Sequence, residues 1–103
     1  MMVVFDLLNT ESFPHHLRDK NVFYQCKEFK TRIIALSPGQ AIPECQMDSH
    51  VLFYVIKGSA RIHVNGEESL LQENQVLITE PAVLSMETES GVKIMGIQIQ
   101  VSA

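Results

Sequence analysis

The sequence predicts an all-β fold, a barrel preceded by a short N-terminal segment. Stretches rich in β-branched and aromatic residues recur at a spacing of about 8–12 residues, which is typical of sandwiches and barrels. Glycine, proline and asparagine separate these stretches, and candidate helical residues occur only before residue 20. We refer to residues 1–20 as the lead-in and expect residues 21–103 to form one β-barrel domain.

The lead-in holds the candidate helix, DLLNTESF, at residues 6–13. We expect this helix to be short, because Pro14 follows it directly and proline cannot continue a helix.

The barrel strands follow in order, each bounded by turn residues. The predicted segments are NVFYQCKEFK (21–30), TRIIALSPG (31–39), VLFYVIKG (51–58), SARIHVNGE (59–67), residues 68–72, QVLITEP (75–81), AVLSMET (82–88) and VKIMGIQIQV (92–101). Asn65-Gly66 predicts a two-residue hairpin, because both residues tolerate the positive φ angles of a type I′ turn.

Several of these segments are apolar at consecutive positions, most clearly VLFYVI and QVLITE. A sheet with one wet face should alternate apolar and polar residues. The outer face is therefore covered either by the lead-in or by another subunit, and we predict a homodimer.

Composition narrows the class of protein. The net charge of -4 and the pI of about 5.5 give no basic footprint for nucleic acid. No apolar run approaches the roughly 18 residues of a membrane span, and MMVVFDLLN lacks the basic start of a signal peptide. We expect a cytoplasmic protein without a membrane partner. Cys26 and Cys45 form no disulfide framework and are expected to be small buried side chains.

Residues 30–100 resemble the small single-domain cupins, whose fold is a double-stranded β-helix or jelly-roll barrel. The first cupin motif sets two histidines and a glutamate between two glycines, and Gly39 and Gly58 match those glycines. The second motif is partly matched by NQVLITEPAVLS (74–85), which has Pro81 near the expected turn and Asn74 in the place of a glycine. The resemblance implies a cupin-like barrel with a pocket at its mouth.

The metal ligands of the family are replaced at all four matching positions. Cys45 and Met47 stand for the two histidines, Val51 for the glutamate and Ser85 for the histidine of the second motif. Imidazoles and carboxylates hold divalent transition metals, whereas this set holds them poorly. The resemblance therefore implies a metal-free cupin without catalytic activity, which binds a small apolar ligand or has a sensory or structural role.

We expect Cys45, Met47, Val51, Phe53 and Ser85 to line the pocket. Cys45 is expected to be buried and inert, because an apolar environment disfavours the reactive thiolate.

The alternative from another class is a metal-dependent enzyme, a dioxygenase or isomerase, with a divalent transition metal on Glu44, Cys45 and His50. Strand alternation opposes this set, because His50 should point outward when Val51 points inward. By the same rule His63 should lie on the outer face. A third hypothesis is a sensory module that acts with a separate DNA-binding protein, since the chain carries no helix-turn-helix pattern.

Overall fold

A computed structural model describes residues 2–99, which form one short 3₁₀ helix and eight β-strands. The helix spans His15–Asn21. The strands are β1 (Val22–Gln25), β2 (Phe29–Leu36), β3 (Ala41–Met47), β4 (His50–Val64), β5 (Glu67–Gln72), β6 (Val76–Thr79), β7 (Ala82–Glu87) and β8 (Val92–Ile99). The all-β prediction is confirmed.

Strand β4 organises the sheet because it is long enough to serve two sets of partners. The strand order is β1-β2-β8-β4-β7-β3, and β5 and β6 also pair with β4. The first half of β4 pairs with β6 and β8, whereas the second half pairs with β5 and β7. All pairings are antiparallel, so the sheet curls around one interior.

Gly58 lies at the point where β4 changes partners. It has φ +84°, and a side chain there would collide with the carbonyl oxygen of Gly91. A register shift between Val55 and Lys57 accompanies it. Before the shift, odd-numbered residues face the interior, and after it even-numbered ones do, from Ala60 onward.

The core is a single cluster of aliphatic and aromatic side chains inside the curled sheet. Fully buried residues include Val55, Ile62 and Ile94. Burying such side chains is the main favourable contribution to folding, at about 1.5–3 kcal/mol each relative to exposure.

The lead-in packs on the outer face of β2 and β8. The Lys93 ammonium group donates to the carbonyl oxygens of Leu8 (2.9 Å) and Thr10 (3.2 Å). Ile33 lies on the same outer face and is fully buried. The apolar outer face of β2 and β8 is thus covered by the chain's own lead-in.

Three sequence expectations need correction. The segments predicted at 51–58 and 59–67 form one strand, β4, because the strand bulges near Gly58 and does not end there. The predicted strand at 21–30 is interrupted at residues 26–28, which separate β1 from β2 as an antiparallel pair. The helix lies after Pro14 rather than before it, because proline favours the start of a helix, where its missing N–H is not needed. The Asn65-Gly66 hairpin is confirmed by positive φ angles at both residues and by the Val64–Glu67 pairing. No helix within residues 2–99 has the length and apolar character to cross a membrane.

Candidate functional site

A partly open cavity of about 420 Å³ lies inside the curled sheet. Its walls come from β2, β3, β4, β7 and β8, and the lead-in and the 3₁₀ helix border it. The volume is in the usual range for small-molecule sites in proteins.

Apolar side chains form most of the inner wall. Val51 and Phe53 come from β4, and Leu84 and Met86 come from β7. Gly96 of β8 adds space, because a side chain at this position would meet the Phe53 ring at 3.4 Å. This part of the wall offers apolar atoms against which a hydrocarbon or ring can pack.

The five residues expected to line a pocket all border this one cavity: Cys45, Met47, Val51, Phe53 and Ser85. Val51 and Phe53 are buried, and Met47 is half-buried against the core.

Cys45 and Ser85 differ from the expected picture. Cys45 is exposed at the cavity rim, so the expectation of a buried thiol was wrong. Ser85 pairs with His63, one residue out of phase with the buried Leu84 and Met86. Because side chains alternate along a strand, the Ser85 hydroxyl lies on the outer face and only its main chain can border the cavity.

The donor set at the family's ligand positions does not fit a divalent transition metal. Cys45 and Met47 face inward opposite Leu84 and Ala82, but they offer a thiol and a thioether. Val51 has no donor atom. This chain therefore gives no support to chemistry carried by a metal ion in the cavity.

The fallback set of Glu44, Cys45 and His50 is not assembled either. In the part of the chain that the structure describes, the residues whose ligand atoms lie within 4.8 Å of one another are His63, Glu68 and Glu87. This outer-face group joins three neighbouring strands, with His63 Nε2 at 3.2 Å from Glu87 Oε1 and 3.8 Å from Glu68 Oε1. It lies on the face opposite the cavity, where the sequence had placed His63.

The sequence interpretation missed the polar residues of the cavity. Arg32 of β2 and Gln98 of β8 both border it. Arg32 Nη2 is 3.4 Å from Gln98 Oε1, a long hydrogen bond. Burial lowers the pKa of Arg32, partly offset by the attraction of Asp19.

The lead-in supplies the mouth of the cavity through Phe13, His15 and Arg18. Asn21 fixes this segment, because its side chain accepts from the Phe13 N–H (2.6 Å) and donates to the Phe13 carbonyl oxygen (2.9 Å). Burial, Arg18, Arg32 and His16 lower the pKa of His15, so the mouth is a cationic environment.

The alternation of β2 places Arg32 on one side of the strand but does not show that this side faces inward. Arg32 shares its side of the strand with Ile34 and with Leu36 of the core. The opposite side carries Ile33 and Ala35, which are equally apolar, so the pattern alone did not say which side faces inward.

No protein-family model matches the sequence, and no curated protein matches it. Solved structures do match. A cupin superfamily protein from Desulfitobacterium hafniense aligns with a TM-score of 0.72 over 78% of this chain and 74% of its own, at 15% identity. A cupin-2 domain protein from Shewanella frigidimarina aligns with a TM-score of 0.65 over 77% and 78%, also at 15% identity.

The chain has the cupin fold. A third match, salicylate 1,2-dioxygenase from Pseudaminobacter salicylatoxidans, has a TM-score of 0.67 and 15% identity. It covers 70% of this chain but only 21% of the dioxygenase. At this identity the matches show a shared fold and nothing about function, so the function of this protein has to be inferred from its own cavity.

Proposed function

We propose that this protein is a metal-free cupin that binds a small, largely apolar molecule in its cavity without catalysing a reaction. The observation that carries the proposal is the apolar wall around Val51 and Phe53, in which Val51 stands where cupins have a metal-binding glutamate. Binding of this kind suits a sensory or structural role.

Metal analysis of protein purified without chelator tests the proposal. We expect iron, manganese, nickel, copper and zinc each well below one equivalent per chain. Stoichiometric metal that is lost in Cys45→Ala or His50→Ala would refute the metal-free assignment. His63→Ala is the control, because metal lost only in that variant belongs to the outer-face group and leaves the cavity metal-free.

A metal-dependent oxygenase is the second candidate function. It is favoured by the structural match to salicylate 1,2-dioxygenase and opposed by the thiol and thioether at the ligand positions. The same metal analysis decides between the two candidates, because an oxygenase of this type needs a resident metal.

A further inference from the structure

Arg32 directs a guanidinium group into a mainly apolar interior. It pairs with Gly96 of β8, whose position next to Phe53 identifies the inner face. Arginine has five N–H donors in a planar fork, and the hydrogen bond from the Arg32 side chain to Gln98 is long. Most of its donor capacity is therefore unused within residues 2–99.

The charge of Arg32 is half-buried without a close counterion. The ion pairs among residues 2–99 involve Arg61 and His63, not Arg32. Asp19 attracts Arg32 from beyond ion-pair distance, whereas Arg18 repels it. A partly desolvated, unpaired charge costs stability, so its presence in a cavity indicates a ligand that compensates it.

Arg32 and Arg18 together outweigh Glu44, the acid among the residues that line the cavity. Arg18 and His15 border the mouth from the lead-in, and Glu44 is an exposed acid on β3. The chain as a whole has a net charge of -4, so the cavity differs in sign from the rest of the protein.

We propose that the cavity binds a small apolar carboxylic acid, with its carboxylate on Arg32 and its hydrocarbon part against Val51, Phe53 and Leu84. This inference rests on the proposed binding function and replaces a purely apolar ligand by an amphipathic one. The guanidinium fork matches the two oxygens of a carboxylate, and its single fixed charge matches a monoanion.

Hexanoate and its neutral isostere hexanamide are suitable probes, with binding measured by isothermal titration calorimetry. We expect hexanoate to bind at least 10-fold more tightly than hexanamide, because hydrogen bonds to charged groups are the stronger class. Binding of hexanoate should also slow labelling of the exposed Cys45 thiol by a thiol reagent.

Two variants assign the effect to Arg32. Arg32→Met should weaken hexanoate binding by about 10- to 100-fold and leave hexanamide within about twofold. Arg61→Met is the matched control, because Arg61 lies on the outer face in an ion pair with Glu89, and it should change neither affinity. Arg32→Met should also unfold at the same or a higher temperature, whereas a structural arginine would destabilise the fold on removal.

The outcomes separate this inference from the proposed function. Equal binding of hexanoate and hexanamide, unchanged in Arg32→Met, refutes the carboxylate site but leaves an apolar ligand cavity. Equal competition by inorganic phosphate refutes it as well, since an apolar tail would then contribute nothing. Absence of binding by both probes contradicts the inference and the proposed function together.

Discussion

At the scale of single residues, the cavity combines an apolar wall with the guanidinium group of Arg32. Val51 and Phe53 were predicted to line the pocket from the resemblance to the cupin motif, and in the structure they alternate with the less buried Leu52 and Tyr54 on the same strand. Arg32 was not predictable in this way, since both sides of its strand are apolar. A charged residue of a pocket can therefore go unrecognised when both sides of its strand are apolar.

His15 gives a pH-dependent prediction at this scale. Burial and the nearby Arg18 and Arg32 lower its pKa below 6.5, so the folded protein disfavours the protonated ring. The unfolded chain then binds more protons, and the stabilising contribution of neutral His15 is lost as the pH falls through 6.5 and below.

The measurement is an NMR titration of the His15 ring in the folded protein. Arg18→Gln should raise the pKa of His15, because it removes a neighbouring positive charge. Arg61→Gln, on the outer face, should leave the titration unchanged. A titration of His15 at or above 6.5 in the unmodified protein would contradict the cationic mouth.

At the scale of elements, the bulge at Gly58 lets one strand serve two parts of the sheet. The apolar strand before Gly58 and the Asn65-Gly66 hairpin were readable from the sequence, the hairpin because turn chemistry is local. The predicted end of the strand at Gly58 was wrong, since β4 continues to Val64. Strand β3 was harder to recognise, since it is an edge strand with Pro43 inside a register shift. Proline and exposed polar residues weaken the alternating hydrophobic pattern by which an edge strand would be recognised.

Gly58→Ala and Gly39→Ala form a matched pair of variants. Both glycines have φ +84°, but an added methyl group meets the Gly91 carbonyl oxygen at Gly58 and nothing within 4 Å at Gly39. We expect Gly39→Ala to cost about 1–2 kcal/mol from the left-handed backbone alone. Gly58→Ala should cost about 3 kcal/mol or more, because overpacking is added.

Urea unfolding followed by circular dichroism measures both free energies of unfolding. The difference between the two variants isolates the collision from the backbone strain they share. Equal losses of stability would contradict the close approach of Gly58 to Gly91.

At the scale of the whole molecule, part of the outer face remains apolar and exposed. Ile78 and Val76 of β6 are 68% and 49% exposed, and they continue across the sheet into Leu52 and Tyr54 of β4. The lead-in covers β2 and β8 but leaves this region open, and the predicted homodimer would bury it.

Light scattering coupled to size-exclusion chromatography tests the predicted homodimer. We expect a dimer for the unmodified protein and a monomer for Ile78→Lys, because a buried lysine would lose its hydration. Leu70→Lys is the control, since Leu70 is 53% exposed on β5, away from this region. A monomer at all concentrations, or a dimer that Ile78→Lys leaves intact, would refute the interface.

The two hydrogen bonds between the Asn21 side chain and the Phe13 backbone hold the lead-in at the mouth of the cavity. This has a consequence for how ligand selectivity can change in evolution. The mouth of the cavity is built by a segment that takes no part in the strand ladder of the barrel. Residues 15–18 can therefore be exchanged with little effect on the hydrogen bonds that hold the sheet together. If the cavity binds acids as proposed, exchanging residues 15–18 on one scaffold should yield proteins that keep the strand ladder but discriminate between different acids.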